Sequence, residues 1–517
     1  MTTLISTTDT VTRDALAVLQ PGFTGTTAPG WVLRRIDEGL ASVALFGRNI
    51  QTPEQVAALT AQLRAECDAL LVAIDEEGGD VTRLEVRTGS SFPGNLALGH
   101  VDEVALTRTV ARELGRRLAE CGVNLNWAPS ADVNSNPGNP IIGVRSFGAD
   151  PELVARHTAA YIEGLQAAGV AACTKHFPGH GDTAIDSHHA MPRIDVDLET
   201  LYARELVPFR AAIAAGSKCV MSAHILLPAL DPDRPATVSP QILTGLLREE
   251  LGYDGLIVTD AVEMQAIAGT YGIERGSVLA IAAGADALCI GGGLEDDGTV
   301  RRLRDALVAA VRSGELAEER LADAAARVRA LASWTRAAEG TGSEPGAAVQ
   351  EGTASGTGIG SGIGLAAARR AVEVTGSAEP LIDPPYVASF TSESNIAVGD
   401  ETPWGVAAEL GRLLPGTETG TYGTGTPVAA VLRAAGERRI VVVVRDAHRH
   451  AWMTEALDAL VAKRPGTVVV EMGVPQAAPR GALHIATHGA ARVCGVAAAE
   501  IIARGNDLRR CQSWVRS

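Results

Sequence analysis

The feature that most constrains the fold of this chain is a regular alternation of short apolar runs with longer amphipathic runs, from residue 1 to about residue 335. Short apolar runs predict buried strands, and amphipathic runs of helical period predict helices. Strand–helix alternation of this kind is typical of a parallel α/β fold, and a (β/α)8-type barrel of the TIM class fits best. An eighth strand is not evident, so the pattern predicts an irregular or incomplete barrel. The strand candidates are residues 42–46, 70–75, 123–129, 171–177, 219–225, 256–262 and 286–292. The clearest helix candidates between them are residues 53–67, 104–121, 151–169 and 198–216.

The composition changes near residue 336, which predicts three parts: a catalytic barrel domain over 1–335, a linker over 336–364 and a C-terminal α/β domain over 365–517. The linker is rich in Gly, Ser and Thr. Some of its spacings imitate a dinucleotide fingerprint, but no strand precedes them, so that interpretation is rejected. In the C-terminal part, an apolar run, a helical pattern and a second apolar run predict one βαβ unit of a smaller, sandwich-like α/β domain.

Charge and targeting signals exclude several partners. Asp and Glu number 61 against 45 Lys and Arg, a formal charge of −16, so nucleic acid is not an expected partner. No apolar run is long enough to span a bilayer, and the first residues lack the basic start and apolar core of a signal peptide. The seven cysteines form no CxxC pair and mostly stand singly in apolar runs, as buried reduced thiols do. Together these features predict a cytoplasmic protein.

One segment carries most of the candidate chemistry. It reads KHFPGHGDTAIDSH, begins at the end of the strand candidate 171–177 and continues as a loop rich in Gly. Lys175 and His176 should project from the barrel rim, where active sites of such barrels form. Asp186 and His188 are two residues apart, so in an extended segment the carboxylate can orient the imidazole and raise its pKa. His188 could then donate a proton and accept one near neutral pH.

Other strand ends also carry charge. Asp260 follows the apolar run LIVT, where it either performs chemistry or caps the next helix. Asp75 ends the run LLVAI, and Arg145 lies in a loop; each taken alone could equally form a structural ion pair. Because Asp75, Arg145, Lys175, His176 and Asp260 all fall at or after strand ends on one side of the predicted barrel, they predict a site for a sugar.

Four segments taken together resemble glycoside hydrolase family 3, in its bacterial β-N-acetylglucosaminidase branch. They are IDEEGGDVTRLE, NLNWAPSADVNSNPGNPIIGVRSFG, KHFPGHGDTAIDSH and GLIVTDAVEM. The resemblance covers residues 20–335 in order, whereas the C-terminal part resembles the family's second domain only loosely.

The resemblance implies a role for each candidate residue. Asp260 matches the nucleophile, and His188, held by Asp186, matches the acid/base that this branch carries on a mobile loop. Asp75, Lys175 and His176 match residues that grip the hydroxyls of a terminal N-acetylglucosamine, and Arg145 should lie close to the same sugar. The implied activity is a retaining exo-hydrolysis without metal or cofactor, acting on muropeptide fragments of cell-wall recycling or on short chitin oligosaccharides.

Several alternatives remain open. Phosphate instead of water could accept the sugar from Asp260, because a histidine base does not repel an anion as a carboxylate does. The dense histidines and acids of the loop (His176, His180, His188, His189, Asp182 and Asp186) could be metal ligands, but they lack a recognised spacing. A non-catalytic sugar-binding protein would need neither Asp260 nor His188. The C-terminal histidines His448, His450, His484 and His488 could form a second site, although surface or packing roles are favoured.

Overall fold

The computed structural model describes residues 9–183, 191–291, 293, 296–339, 362–377, 379–392 and 401–504. Their contacts divide them into two compact units. The first unit contains the described residues of Met1–Glu77, Thr107–Ile142 and Ala149–Gly352. The second contains those of Gly78–Leu106, Gly143–Gly148 and Thr353–Ser517. Most of the predicted linker, residues 340–361, lies outside the described residues.

The first unit is built on short parallel strands in the manner of a (β/α)8 barrel, which confirms the predicted fold class. Strands β2 to β7 pair side by side in chain order, β1 pairs with β8, and a parallel bridge from Val258 to Ala287 joins β7 to β8. Each predicted strand contains one observed strand, and β1 is the strand that the sequence pattern did not reveal. The strands are β1 Leu19–Pro21, β2 Ser42–Leu45, β3 Leu71–Ile74, β4 Leu125–Asn126, β5 Ala171–Phe177, β6 Cys219–Ser222, β7 Leu256–Thr259 and β8 Leu288–Ile290.

Local capping signals explain where the predicted helices begin. The side chain of Thr52 caps α3 by accepting a hydrogen bond from the backbone amide of Gln55. The side chain of Asp150 caps α6 by accepting hydrogen bonds from the backbone amides of Glu152 and Leu153. The predicted helix 198–216 is divided into α7, a π-helical turn at Leu201–Glu205 and α8. The α-helices up to residue 339 are α1 Thr10–Ala17, α2 Gly30–Glu38, α3 Pro53–Glu66, α4 Asn95–Val101, α5 Val104–Glu120, α6 Pro151–Ala167, α7 Leu198–Thr200, α8 Leu206–Ala214, α9 Gln265–Tyr271, α10 Ile273–Ala283, α11 Asp297–Ser313 and α12 Glu318–Glu339. A further π-helix spans Gln241–Glu250.

The barrel interior is filled by alternate residues of the strands, as the two-residue period of a strand requires. These residues are small or apolar and almost inaccessible to solvent. Those in the strands or next to them are Ala44, Leu71, Ala73, Leu125, Trp127, Ala171, Cys173, Cys219, Met221, Leu256, Val258, Ala287 and Cys289.

The second unit contains a six-stranded sheet in the order β11-β10-β12-β13-β14-β9, in which only β9 is antiparallel to its neighbour. β12 and β13 are parallel and α16 lies between them in sequence, which confirms the predicted βαβ unit. Apolar side chains cover both faces of the sheet. The elements are α13 Ile363–Ala371, β9 Glu373–Gly376, β10 Tyr386–Phe390, α14 Ala407–Leu413, β11 Glu418–Tyr422, α15 Val428–Ala435, β12 Ile440–Val444, α16 Ala451–Lys463, β13 Val468–Glu471, β14 Leu483–Ala486 and α17 Arg492–Arg504. Among all helices described, none has the length and apolar character needed to cross a membrane.

Candidate active site

Three charged residues occupy the next inward-facing position beyond the apolar core of the barrel. Asp75 comes two residues after Ala73 of β3, Lys175 two residues after Cys173 of β5, and Asp260 two residues after Val258 of β7. Because side chains alternate along a strand, these three side chains continue the interior rows at the carboxyl ends of the strands. This is the end of the barrel at which active sites of this fold form.

Lys175 is buried and neutralised by two carboxylates. Its ammonium forms an ion pair with Asp75 and another with Glu77 at 2.7 Å, and the side chain is only 3% exposed. Tyr161 donates to the carbonyl of Glu77 at 3.1 Å, which fixes the backbone of that partner. Lys175 therefore holds Asp75 in place, and the positive charge is already balanced before any ligand arrives.

His176 is oriented by Asp132, a residue that the sequence reasoning did not single out. Its Nδ1 donates to Asp132 at 2.7 Å, and the backbone amides of His176 and His180 donate to the other carboxylate oxygen. Burial alone would raise the pKa of Asp132, but the charge of His176 and these hydrogen bonds hold it well below its usual value. The hydrogen bond at Nδ1 fixes the orientation of the His176 ring. The available signal was an acid in the segment that follows β4, two residues after Ser130, which forms a parallel bridge with Lys175.

The loop after β5 is fixed as far as Thr183. Asn139 donates from its amide nitrogen to the carbonyls of His180 and Gly181, at 2.9 Å each. A side chain at Gly181 would overlap the carbonyl of Val133, which explains this glycine of the PGHGD sequence. Burial, followed by the charge of His176, lowers the pKa of His180 to about 4, so this ring is neutral near pH 7.

The predicted acid/base pair, Asp186 and His188, lies at 184–190, outside the described residues. The same holds for His189.

Asp260 is anchored through its backbone between neighbouring strands. Its amide donates to the carbonyl of Ser222 at 3.1 Å, and its Oδ1 accepts the amide of Ala261 at 2.8 Å. His224 donates from Nε2 to the carbonyl of Ala261 at 2.9 Å, so the turn after β7 is held on both sides. The helix that follows, α9, has Met264 at its N-cap, and the alternative that Asp260 caps this helix is therefore wrong.

Asp260 and Asp75 both act on the Cys289 thiol of β8, as expected for acids at the same end of the barrel. Burial raises the pKa of the Cys289 thiol, and the charges of Glu263, Asp260 and Asp75 raise it further. Asp260 also raises the pKa of His180 against the effect of burial. The first unit thus brings together Asp75, Lys175, His176 and Asp260.

Arg145 belongs to the second compact unit by its contacts. It ends a 3-10 turn at Gly143–Arg145, is buried, and its carbonyl accepts from the side chain of Asn95 at 2.7 Å. Among the described residues, the loop residues His176, His180 and Asp182 form no group of three metal-ligating side chains.

Comparison with known proteins identifies the family of the chain. Residues 34–331 match the N-terminal domain of glycosyl hydrolase family 3. A β-hexosaminidase A of Pseudoalteromonas piscicida is 37% identical over 325 residues, which are 58% of this chain and 54% of that protein. A β-hexosaminidase of Neisseria meningitidis serogroup C is 36% identical over 266 residues, 50% of this chain and 73% of that protein.

A solved structure extends the likeness to both units. A glycoside hydrolase family 3 β-N-acetylglucosaminidase from Paenibacillus sp. aligns over 96% of this chain and 97% of its own, with 34% identity and a TM-score of 0.83. The chain therefore belongs to glycosyl hydrolase family 3, a class of glycoside hydrolases. The match to the Pseudoalteromonas protein spans about half of that protein's length.

Proposed function

We propose that this protein is a retaining exo-β-N-acetylglucosaminidase that releases terminal N-acetylglucosamine through a covalent sugar ester on Asp260. The observation that carries the proposal is the placement of Asp260 directly after β7, at the carboxyl ends of the strands, where the buried Lys175–Asp75 pair also lies. The names of the two bacterial β-hexosaminidases and of the Paenibacillus enzyme support the sugar specificity.

The first chemical step forms a bond from an Asp260 oxygen to the anomeric carbon while the bond from that carbon to the leaving oxygen breaks. His188, held by Asp186, gives its proton to the leaving oxygen. In the second step a water molecule, deprotonated by His188, attacks the same carbon from the opposite face to Asp260 and releases the carboxylate. Two inversions at one carbon retain its configuration.

Binding of the sugar rests on groups that are already oriented. Lys175 holds the carboxylate of Asp75, and Asp132 holds the imidazole of His176, so both side chains are oriented before the sugar binds. Arg145, which the family resemblance places near the sugar, completes the proposed binding set. Such preorganisation reduces the cost of ordering side chains when the ring arrives. Muropeptide-derived fragments or short chitin oligosaccharides are the proposed substrates.

Trapping the intermediate tests the proposal directly. A 5-fluoro N-acetylglucosaminide with a good leaving group should form a stable ester, and mass spectrometry of the digested protein should place the sugar on Asp260. A label on Asp75 or Glu263, or turnover with inverted product, contradicts the mechanism. Rates on the matched nitrophenyl N-acetylglucosaminide and glucoside separate the sugar specificity from the mechanism, since only the specificity fails if the two kcat/KM values are equal.

The role of His188 has its own test. His188→Ala should lower the rate most for substrates with poor leaving groups, because nitrophenolate leaves with little protonation. Equal losses on both kinds of substrate would assign His188 to binding or structure.

Water is the proposed acceptor rather than phosphate. The ammonium of Lys175 is balanced by the carboxylates of Asp75 and Glu77, and Asp260 is esterified and uncharged when the acceptor arrives. The ammonium of Lys175 therefore offers a phosphate dianion little net attraction. Turnover in phosphate and in a non-nucleophilic buffer of equal pH and ionic strength should agree within about twofold. Formation of N-acetylglucosamine 1-phosphate would reverse this assignment while leaving Asp260 as the nucleophile.

A further inference from the structure

Three potential ligand side chains from distant parts of the sequence meet in the second unit. His100 lies near the end of α4, Glu373 is the first residue of β9, and His488 follows β14. Each offers one ligand atom, and these atoms lie within 4.8 Å of one another. The rings of His100 and His488 are stacked with centroids 3.8 Å apart. None of the three belongs to the candidate active site.

His488 is prepared for ligation by its hydrogen bond. Its Nδ1 lies 2.9 Å from the carbonyl oxygen of Ala371. Because a carbonyl only accepts, Nδ1 carries the proton and Nε2 keeps its lone pair. A backbone carbonyl that fixes the tautomer and the ring plane in this way is the usual second partner of a metal-bound histidine.

The backbone of His488 adds an independent indication. The residue is only 3% exposed and has a φ of 57°, in the left-handed region that side chains with a Cβ seldom adopt. Such conformations persist where the surroundings enforce them, commonly at ligand sites.

We propose that His100, Glu373 and His488 form a binding site for one divalent transition-metal ion, with Zn²⁺ as the best match. Two imidazole nitrogens and one carboxylate oxygen suit zinc, nickel or copper, whereas calcium and magnesium prefer oxygen ligands alone. Bonds of about 2.0–2.2 Å require the three donors to come closer together. His100 and Glu373 are exposed and can turn towards the buried His488.

The bound ion would connect three chain segments. It would tie the end of α4 to the antiparallel edge strand β9 and to the turn after β14. An ion that binds only the folded state raises its stability by mass action, so zinc should raise the melting temperature of the protein.

Two variants at exposed positions test the site with little risk to folding. His100→Ala and Glu373→Gln each remove one ligand, and His450→Ala is the control, since it removes an imidazole from the same unit at a position whose side chain makes no helix-cap hydrogen bond. The full-length protein is stripped with a chelator, and zinc binding is measured by calorimetry. The absorption spectrum of the Co²⁺-loaded protein reports the geometry of the site.

We expect the wild type and His450→Ala to bind one zinc ion. His100→Ala and Glu373→Gln should bind it at least about tenfold more weakly, because even the loss of a residue that only holds a ligand lowers metal affinity by about that factor. The rise in melting temperature on adding zinc should shrink in the same two variants. The proposal is overturned if the wild type binds no zinc. It is also overturned if all four proteins bind zinc with the same stoichiometry and affinity, as binding at other histidines alone would give.

Discussion

Two strand-end acids, one in each unit, have nearly the same sequence context and opposite surroundings. Asp260 follows the apolar run of β7, and Glu471 ends the apolar run of β13. Both lie at the carboxyl end of a parallel strand, the position at which α/β proteins commonly place ligand-binding residues. The partners of each carboxylate decide which of the two can meet a ligand.

Glu471 accepts hydrogen bonds from the backbone amides of neighbouring turns. The amides of Asp446 and Gly473 donate to Oε1 at 2.9 and 2.8 Å, and the amide of Ala447 donates to Oε2 at 3.1 Å. The residue is 1% exposed, and burial raises its pKa to about 7. Asp260 is half-buried and influences the pKa of His180, a group of the candidate site. Three backbone amides engage Glu471, which gives this acid a structural role, whereas Asp260 lies at the end of the barrel where active sites form.

The largest expected effect is that of Asp260→Asn. An amide of the same shape keeps the hydrogen bond from Ala261 but cannot attack the anomeric carbon, so kcat should fall by about 10⁴-fold or more. The melting temperature should change little, because an amide of the same size replaces a carboxylate that is only half-buried. Steady-state rates on a nitrophenyl N-acetylglucosaminide and a thermal melt measure both quantities. Activity within tenfold of the wild type would show that Asp260, like Glu471, has no chemical role.

The next effect is that of Lys175→Met. Removing the ammonium leaves Asp75 and Glu77 without the cation that they share, and breaking a buried ion pair typically costs about 3–5 kcal/mol. Both the melting temperature and kcat/KM should fall. Exposed pairs contribute little, so Arg193→Met, which breaks the pair with Asp195, is a matched control that should leave both unchanged. A fall in stability with full kcat/KM would show that Lys175 has only a structural role.

Much of the barrel and part of its site could be predicted from the sequence, because both depend on the regular alternation of side chains along each strand. The run LIVTD places Val258 and Asp260 on one face of a strand wherever that strand lies, and the same holds for Cys173 and Lys175. β1 was missed because Leu19–Pro21 is too short to show any period and directly follows α1.

Partners distant in the sequence could not be predicted in the same way. Asp132 holds His176 across a separation of 44 residues, and Asp80 accepts the amide of Ala490 across 410. No local pattern encodes such pairs, because they depend on how loops meet once the strands are assembled. The contrast between Asp260 and Glu471 is equally absent from the local pattern, because backbone amides of turns outside the strand engage Glu471.

Glu471→Ala should affect stability rather than chemistry. It leaves three backbone amides without their acceptor, at about 1–3 kcal/mol for each that stays buried, so we expect a loss of about 3 kcal/mol and a clear fall in melting temperature. The kcat of the folded enzyme should stay within about twofold of the wild type. Glu418→Ala, which breaks the exposed pair with Arg438 in the same unit, is the control. A large loss of kcat at unchanged stability would place Glu471 with Asp260 instead.

The smallest effect concerns Glu205, a third buried acid, which lies in the π-helical turn before α8. Its Oε1 accepts from Arg204 at 2.6 Å, but within the described part of the chain its Oε2 has no hydrogen-bond partner. Burial raises its pKa from 4.5 to about 7, although Arg204 opposes the shift.

The sign of the pH effect follows from that shift. Because the folded state holds the proton more tightly than the unfolded state, the contribution of Glu205 to stability is complete below pH 4.5 and is lost as the pH rises through about 7. Glu205→Gln is neutral at every pH, so the wild type should lose a few °C more in melting temperature than this variant between pH 5 and pH 8. Glu471→Gln should instead be less stable than the wild type at both pH values, because its amide group turns a donor towards a backbone N–H that now has no acceptor. Parallel curves for wild type and Glu205→Gln would mean that Glu205 is ionised in both the folded and the unfolded state, so that burial does not raise its pKa.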